Sequence, residues 1–215
     1  SDIVNHFTYF LHSDGDIQEP VAMGSVAIAG HWGLSKLIGY YDANKAQISG
    51  EVNRSDSVDY VKFYESNNWH VQEVDGQNRD QIRNAIRYAQ MEVEKPSIII
   101  GHNVIAPGCA TMEADHNTHG APLPPEEIKN TKINLGLDHD KFYHVSQSVL
   151  SDFRESFHYA RTEVEAWNTA LKNKLSKDKN FSTDWNICIN NADARINWPK
   201  YDLSLIHISE PTRLG

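Results

Sequence analysis

The sequence predicts an α/β fold, a parallel sheet with helices on both faces, followed by a long helical segment. Three observations carry this reading. Short runs at residues 7–11, 37–41, 70–74 and 97–100 have strand character and alternate with segments of helical periodicity, as in a sheet joined by crossover helices. Two polar turns, Ser13-Asp14-Gly15-Asp16 and Tyr41-Asp42-Ala43-Asn44, each follow an apolar run, at the carboxyl ends of strands where such sheets collect ligands. From about Gln147 onward, apolar residues recur in steps of three and four.

Taken in order, residues 7–11 are an aromatic and apolar run that breaks at the Asp-Gly turn, as a buried strand would. A helix is predicted over 17–30, where Ala22, Gly24, Ser25, Ala27 and Ala29 permit close packing and Pro20 is tolerated only in or near the first turn. After the strand at 37–41, Val58, Val61 and Glu65 continue a weak helical pattern towards Asn67, and Val71 and Val74 are the apolar members of the next strand. Ile82, Ala85, Ile86 and Ala89 share one helical face, and Pro96 prevents that helix from continuing into the strand at 97–100. Beyond His119-Gly120, Pro124 and Pro125 ahead of Glu126-Glu127 suit a helix start, and Leu135-Gly136 its end. The long helix aligns Leu150, Phe153, Phe157, Ala160, Val164, Trp167 and Leu171 in one seam. The seam is expected to pack on its own protein rather than serve as a coiled-coil partner site.

Composition sets bounds on function. With 215 residues, 40% hydrophobic and 23% charged, the chain can bury a sizeable core. A formal charge of -9 without a basic run argues against tracking a nucleic-acid backbone. No apolar stretch approaches the ~20 residues that span a bilayer, so no membrane partner is expected. Cys109 and Cys188 form neither a metal spacing nor a disulfide framework, and a reducing cytoplasm is the default expectation.

The two polar turns carry the chemistry. Asp14 and Asn44 stand thirty residues apart, each just beyond an apolar run. From neighbouring strand ends they would supply two oxygen ligands to a hard divalent cation able to hold a diphosphate. In Ser13-Asp14-Gly15-Asp16-Ile17-Gln18-Glu19-Pro20 the sequence resembles the Gly-Asp-Gly-x-x-Gln-Glu-Gly block of transketolases, thiamine diphosphate enzymes. Further blocks follow in family order: Ala29-Gly30, Leu34-Ser35-Lys36-Leu37-Ile38, Asn44-Lys45 with Ile48-Ser49-Gly50, Asn68-Trp69-His70-Val71, Val74-Asp75-Gly76 and His119-Gly120-Ala121-Pro122-Leu123. Ser13 and Pro20 depart from the family's glycines.

The resemblance implies an incomplete thiamine diphosphate-binding fold with thiamine diphosphate and Mg2+ as cofactors, Ca2+ or Mn2+ being alternatives. It implies that Asp14, the Asn44 side chain and the Ala46 carbonyl bind the metal, and that Ser13, Gly15 and His119 join Asp14 and Asn44 around the cofactor. Gly15 leaves room for the diphosphate, with the following helix pointing its first amides at the anion. His119 is implied as the catalytic imidazole near the reacting carbon, in preference to His31, His102 and His116, and Glu19 as a subunit-interface carboxylate. The implied reaction is transfer of a two-carbon ketol group from a ketose phosphate to an aldose phosphate in the pentose phosphate pathway, by a homodimer.

Residues 1–145 are expected to be the diphosphate-binding domain, truncated at its N-terminus, and 146–202 a helical extension leading to a missing domain. Residues 203–213 resemble a translated sequencing adapter, so 203–215 are expected to be a non-native tail. In the family the Glu that activates the cofactor belongs to a pyrimidine-binding domain, expected to lie outside this chain, and the isolated fragment is therefore expected to be inactive. Three alternatives stand beside this reading. The first is the N-terminal subunit of a split transketolase, joined by a separate pyrimidine-domain subunit. The second is another thiamine diphosphate enzyme such as deoxyxylulose phosphate synthase or a dehydrogenase component. The third, a dinucleotide-binding dehydrogenase, lacks the glycine-rich turn after a first strand.

Overall fold

The chain runs β1 (Thr8–Ser13), α1 (Pro20–His31), β2 (Leu37–Ala43), β3 (Ala46–Gln47), β4 (Gly50–Glu51), α2 (Tyr60–Ser66), β5 (His70–Asp75), α3 (Arg79–Met91), β6 (Ser97–His102), α4 (Pro125–Asn134), α5 (Gln147–Lys177) and α6 (Lys179–Trp185). The computed structural model describes residues 3–47 and 50–190. They fall into two compact units, one of residues 4–144 and one of Ile3 with 145–190. Ile48, Ser49 and the tail at 203–215 lie outside the described residues.

In the first unit β1, β2, β6 and β5 pair side by side in that order, every pair parallel. Each predicted strand is present and three of them, β1, β2 and β6, run two residues further than their apolar runs, because ladder pairing continues through Ser13↔Asp42, Asp42↔Gly101 and Ala43↔His102. Backbone pairing is indifferent to side-chain polarity, so a strand outlasts its hydrophobic signature.

Both faces of the sheet are covered. Ile98 and Ile100 of β6, with Tyr41 and Trp69, pack against Ile17, Val26 and Ala29 on one side and against Tyr60 and Tyr64 of α2. Ile99 points the other way, to Ile38, Val74 and the α3 residues Ala85 and Ala89. The alternation along β6 is the pleat of a strand buried on both faces. Ile82 and Ile86 pack against the same cluster, as their spacing predicts, and Asn78 caps α3 by accepting from the amides of Asp80 and Gln81.

The predicted helix over 17–30 is instead two elements. A single 3-10 turn, Asp16–Gln18, ends at Glu19 in an extended conformation (φ -69, ψ 134), and α1 begins at Pro20 in its first turn. Pro20 is the cause: its ring disfavours helical geometry in the preceding residue while its own fixed φ suits a helix start. The close packing falls only in part where predicted, at Ala29. Ser25, Ala27 and Gly24 are exposed, whereas Val26, Ala29 and Gly30 are buried. Nearly every member of this helix is small or apolar, so periodicity could not say which face turns inward.

The weak pattern near residue 60 resolves into α2, which starts once Asp59 caps it by accepting from the Lys62 amide. Helix α4 runs between its predicted signals: Pro125 occupies the first turn, and Gly136 (φ 69) follows the end, where the Leu137 amide bonds back to Lys132. Glu127 is the buried anchor of α4. Its carboxylate accepts from the Thr111 amide and hydroxyl (2.8 Å each) and from the Met112 amide (3.2 Å), and these bonds hold its pKa below the ordinary glutamate value. A depressed carboxylate pKa contributes stability above the unfolded-state value that is lost as pH falls through the folded one. Glu127→Ala is therefore expected to raise protease cleavage within 103–124 several-fold at neutral pH, and wild-type cleavage to rise towards that of the variant on acidification below the ordinary glutamate range.

The second unit is helical. Trp167 of α5 stacks near Trp185 of α6 (6.2 Å between rings) and donates to the Ile3 carbonyl at 2.9 Å. Among the described residues no residue of α5 is buried, and Phe153 and Phe157 of the seam are 64% and 72% exposed. The spacing specifies which face is apolar. It does not specify what covers it. No helix among the described residues is long and apolar enough to cross a membrane.

Candidate functional site

The carboxyl ends of β1 and β2 lie side by side, with Ser13 paired to Asp42. Asp14 and Asn44 therefore leave the sheet at the same edge, one from each strand. Asp14 is 3% exposed. Its Oδ1 accepts a 2.6 Å hydrogen bond from the Tyr41 hydroxyl, and its Oδ2 is buried with no hydrogen-bond partner. Burial raises the Asp14 pKa, against the lowering influence of the Tyr41 hydroxyl and the nearby amides of Lys45 and Ala46.

Asn44 is held at both ends of its amide. Its Nδ2 donates to Asp42 Oδ2 at 3.1 Å, and its Oδ1 accepts from the Ala46 amide at 3.0 Å, closing a tight turn around Lys45, whose φ is 63. Asp42 in turn accepts from Asn103 at 2.6 Å, at the end of β6. The turn leads into the β3–β4 hairpin, in which Ala46 is buried and pairs with Glu51. A carboxylate, an amide oxygen and a backbone carbonyl at 14, 44 and 46 make a donor set of hard oxygens, the kind a small divalent cation takes. A buried carboxylate oxygen lacking a donor fits the same ion.

Next to this edge is a cleft of about 500 Å³ lined by Asn44, Lys45, Ala46, Glu51, Asn103 and His116, among others. A second cavity of about 300 Å³ reaches Asp14 and Tyr41, with Asp56 and Tyr60 on its wall. Gly15 adopts ordinary right-handed geometry (φ -81, ψ -52), and a Cβ built on it would meet nothing within 4 Å. Neither backbone nor packing within the chain demands glycine there, which leaves space for something outside the chain.

The remaining predicted residues are placed differently. Ser13 turns its amide and hydroxyl inward to Asp16 Oδ1, while His12 meets Asp16 Oδ2 at 2.9 Å. Partial burial opposes these bonds, but they hold the Asp16 carboxyl below its usual pKa. Glu19 is exposed ahead of Pro20, and its side chain makes no capping bond. His119 follows the 3-10 turn His116–Thr118 and is exposed, and of these two histidines it is His116 that lines the cleft. Sequence reasoning missed Tyr41, Asp42 and Asn103. The first two lie inside a motif already singled out, but a tyrosine at the end of a buried strand carries no signal that its hydroxyl meets a carboxylate from the neighbouring strand.

The family model described as transketolase, thiamine diphosphate binding domain, matches residues 1–190. The transketolase of Staphylococcus epidermidis is 35% identical over 211 residues, covering 94% of this chain and 31% of that protein. Transketolase 2 of Escherichia coli is 39% identical over 142 residues, covering 66% and 21%. Among solved structures, transketolase from Leishmania mexicana matches with a TM-score of 0.80 at 30% identity, over 86% of this chain and 28% of that one. The Campylobacter jejuni transketolase matches with a TM-score of 0.79 at 29% identity, over 87% and 29%. The chain thus spans under a third of the length of these relatives.

Proposed function

The chain belongs to the transketolase family, of which it carries the thiamine diphosphate binding domain, and we propose that it forms the diphosphate and cation half of a transketolase active site. As part of a complete subunit it would serve Mg2+-dependent transfer of a two-carbon ketol group from a ketose phosphate to an aldose phosphate, in the cytoplasmic pentose phosphate pathway. The observation that carries this reading is Asp14, a buried carboxylate with one oxygen unpartnered at the strand edge that also presents Asn44 and Ala46.

When bound, thiamine diphosphate supplies the carbon nucleophile and the electron sink for breaking and making a carbon–carbon bond beside a carbonyl. The chain's own residues hold and orient it. Asp14, the Asn44 side chain and the Ala46 carbonyl are proposed to ligate the cation, and the space over Gly15 to admit the diphosphate. Glycine at that position is otherwise unexplained by the fold. The Ser13 amide, committed to Asp16, is not offered to an anion in this arrangement, so its proposed part is to shape the turn. His119 is proposed to exchange a proton with a substrate hydroxyl, since an imidazole can both donate and accept one. Glu19, exposed at the head of α1, is proposed to meet the second subunit of a homodimer.

Isothermal titration of thiamine diphosphate into the chain, with Mg2+ and then with EDTA, tests this reading. Heat that depends on Mg2+ is the expected result, and equal heat in EDTA would reject the cation. The isolated chain is expected to show no transketolase turnover above a metal-free control, since the cofactor-activating Glu of the family belongs to the pyrimidine-binding domain.

A further inference from the structure

We propose that Tyr41 is a positioning residue for the cation site, holding Asp14 so that Oδ2 alone is presented to the metal. The inference rests on the assignment of Asp14 as a cation ligand. A carboxylate on a short side chain rotates freely about its last bond unless an oxygen is anchored, and here, among the described residues, the side-chain anchor is the 2.6 Å bond from the Tyr41 hydroxyl to Oδ1, with the Lys45 and Ala46 amides nearby. Both side chains are buried, Tyr41 at 5% exposure. The Tyr41 ring is itself fixed edge-on against the Tyr60 ring at 5.4 Å, a contact between rings alone.

The chemistry of the anchor matters. A neutral hydroxyl orients the carboxylate without neutralising it, so the full negative charge remains for a divalent ion, whereas lysine or arginine would compete with the ion. Glu127 provides the contrast within the same unit: both its oxygens are taken by Thr111 and Met112, the arrangement of a structural carboxylate. Asp14 is satisfied at one oxygen and left open at the other. Partners behind the ligands commonly set metal affinity through orientation, and their removal costs roughly 10–100-fold.

The test is Mn2+ affinity of the whole chain with thiamine diphosphate present, read as free Mn2+ by electron paramagnetic resonance. Tyr41→Phe keeps the ring and its packing and is expected to weaken Mn2+ about 10-fold or more. Tyr60→Phe, which also loses a hydroxyl bond to a carboxylate, is expected to leave the affinity at the wild-type value. Tyr41→4-aminophenylalanine restores a donor and is expected to recover most of the loss. Where Tyr41→Phe does not fold, Tyr41→4-methylphenylalanine makes the same comparison by filling the hydroxyl's volume without a donor. A purely structural Tyr41 would lower the melting temperature and leave the Mn2+ affinity of the folded protein unchanged. That result, or equal weakening by Tyr60→Phe, overturns the inference alone. Absence of Mn2+ binding by the wild type overturns the cation assignment and the inference with it.

Discussion

Asp14→Ala is expected to weaken Mg2+-dependent binding of thiamine diphosphate by roughly 100-fold or more, the scale of removing one partner from a buried charge pair, about 3 kcal/mol. The reasoning starts from burial. A carboxylate 3% exposed is costly to keep charged, and burial raises its pKa against the Tyr41 hydroxyl and the amides of Lys45 and Ala46. A divalent cation at Oδ2 would offset that cost, and with alanine there is no anion for the cation to meet. The folded state without ligand loses little by the change. The Tyr41 hydroxyl forfeits its partner, but the desolvated carboxylate goes with it, and the two effects oppose one another. Calorimetry should therefore show binding lost while the melting temperature without ligand stays near the wild-type value. Binding at wild-type affinity in the variant would remove Asp14 from the site.

Gly30→Ala carries the largest expected effect on stability. A Cβ at Gly30 would lie 1.7 Å from the Asn67 carbonyl oxygen and 2.9 Å from its carbon, so it meets backbone that no rotamer change can move. Helix α1 would have to lift away from the segment entering β5. That strains the Trp69 indole bond to the Val26 carbonyl (2.9 Å) and the bond from the Asn68 side-chain Nδ2 to the Gly30 carbonyl (3.4 Å). Overpacking of this kind costs about 3 kcal/mol, visible as a lower midpoint in urea with an unchanged slope. Gly24 in the same helix is the control. A Cβ there meets nothing within 4 Å, and Gly24→Ala should stabilise by about 0.5–1 kcal/mol through helix propensity alone. A Gly30→Ala protein as stable as wild type would mean that α1 is not seated on Asn67.

Local chemistry made much of this protein legible from its residues in order. Strands β1, β2, β5 and β6 announce themselves as short runs between turns, α3 through one apolar face, α4 through its prolines and its closing glycine. Asp14 and Asn44 stand out because each follows such a run, and strand ends are where a parallel sheet presents polar groups. These are properties of a few neighbouring residues, and they survive in one dimension.

Tertiary structure alone decided the rest, because it depends on residues distant in sequence meeting in space. The order β1-β2-β6-β5 follows from which apolar faces fit together, and it places Asp14 and Asn44 at one edge. The Tyr41 hydroxyl finds Asp14 across 27 positions, Glu127 finds Thr111 across 16, and Gly30 is required by Asn67 and not by its own helix. Likewise His116 rather than His119 lines the cleft beside Asn44. A hydrogen bond or a steric contact has no periodicity to betray it: its partner is selected by packing, and only the folded chain shows which carboxylate is satisfied and which is left open.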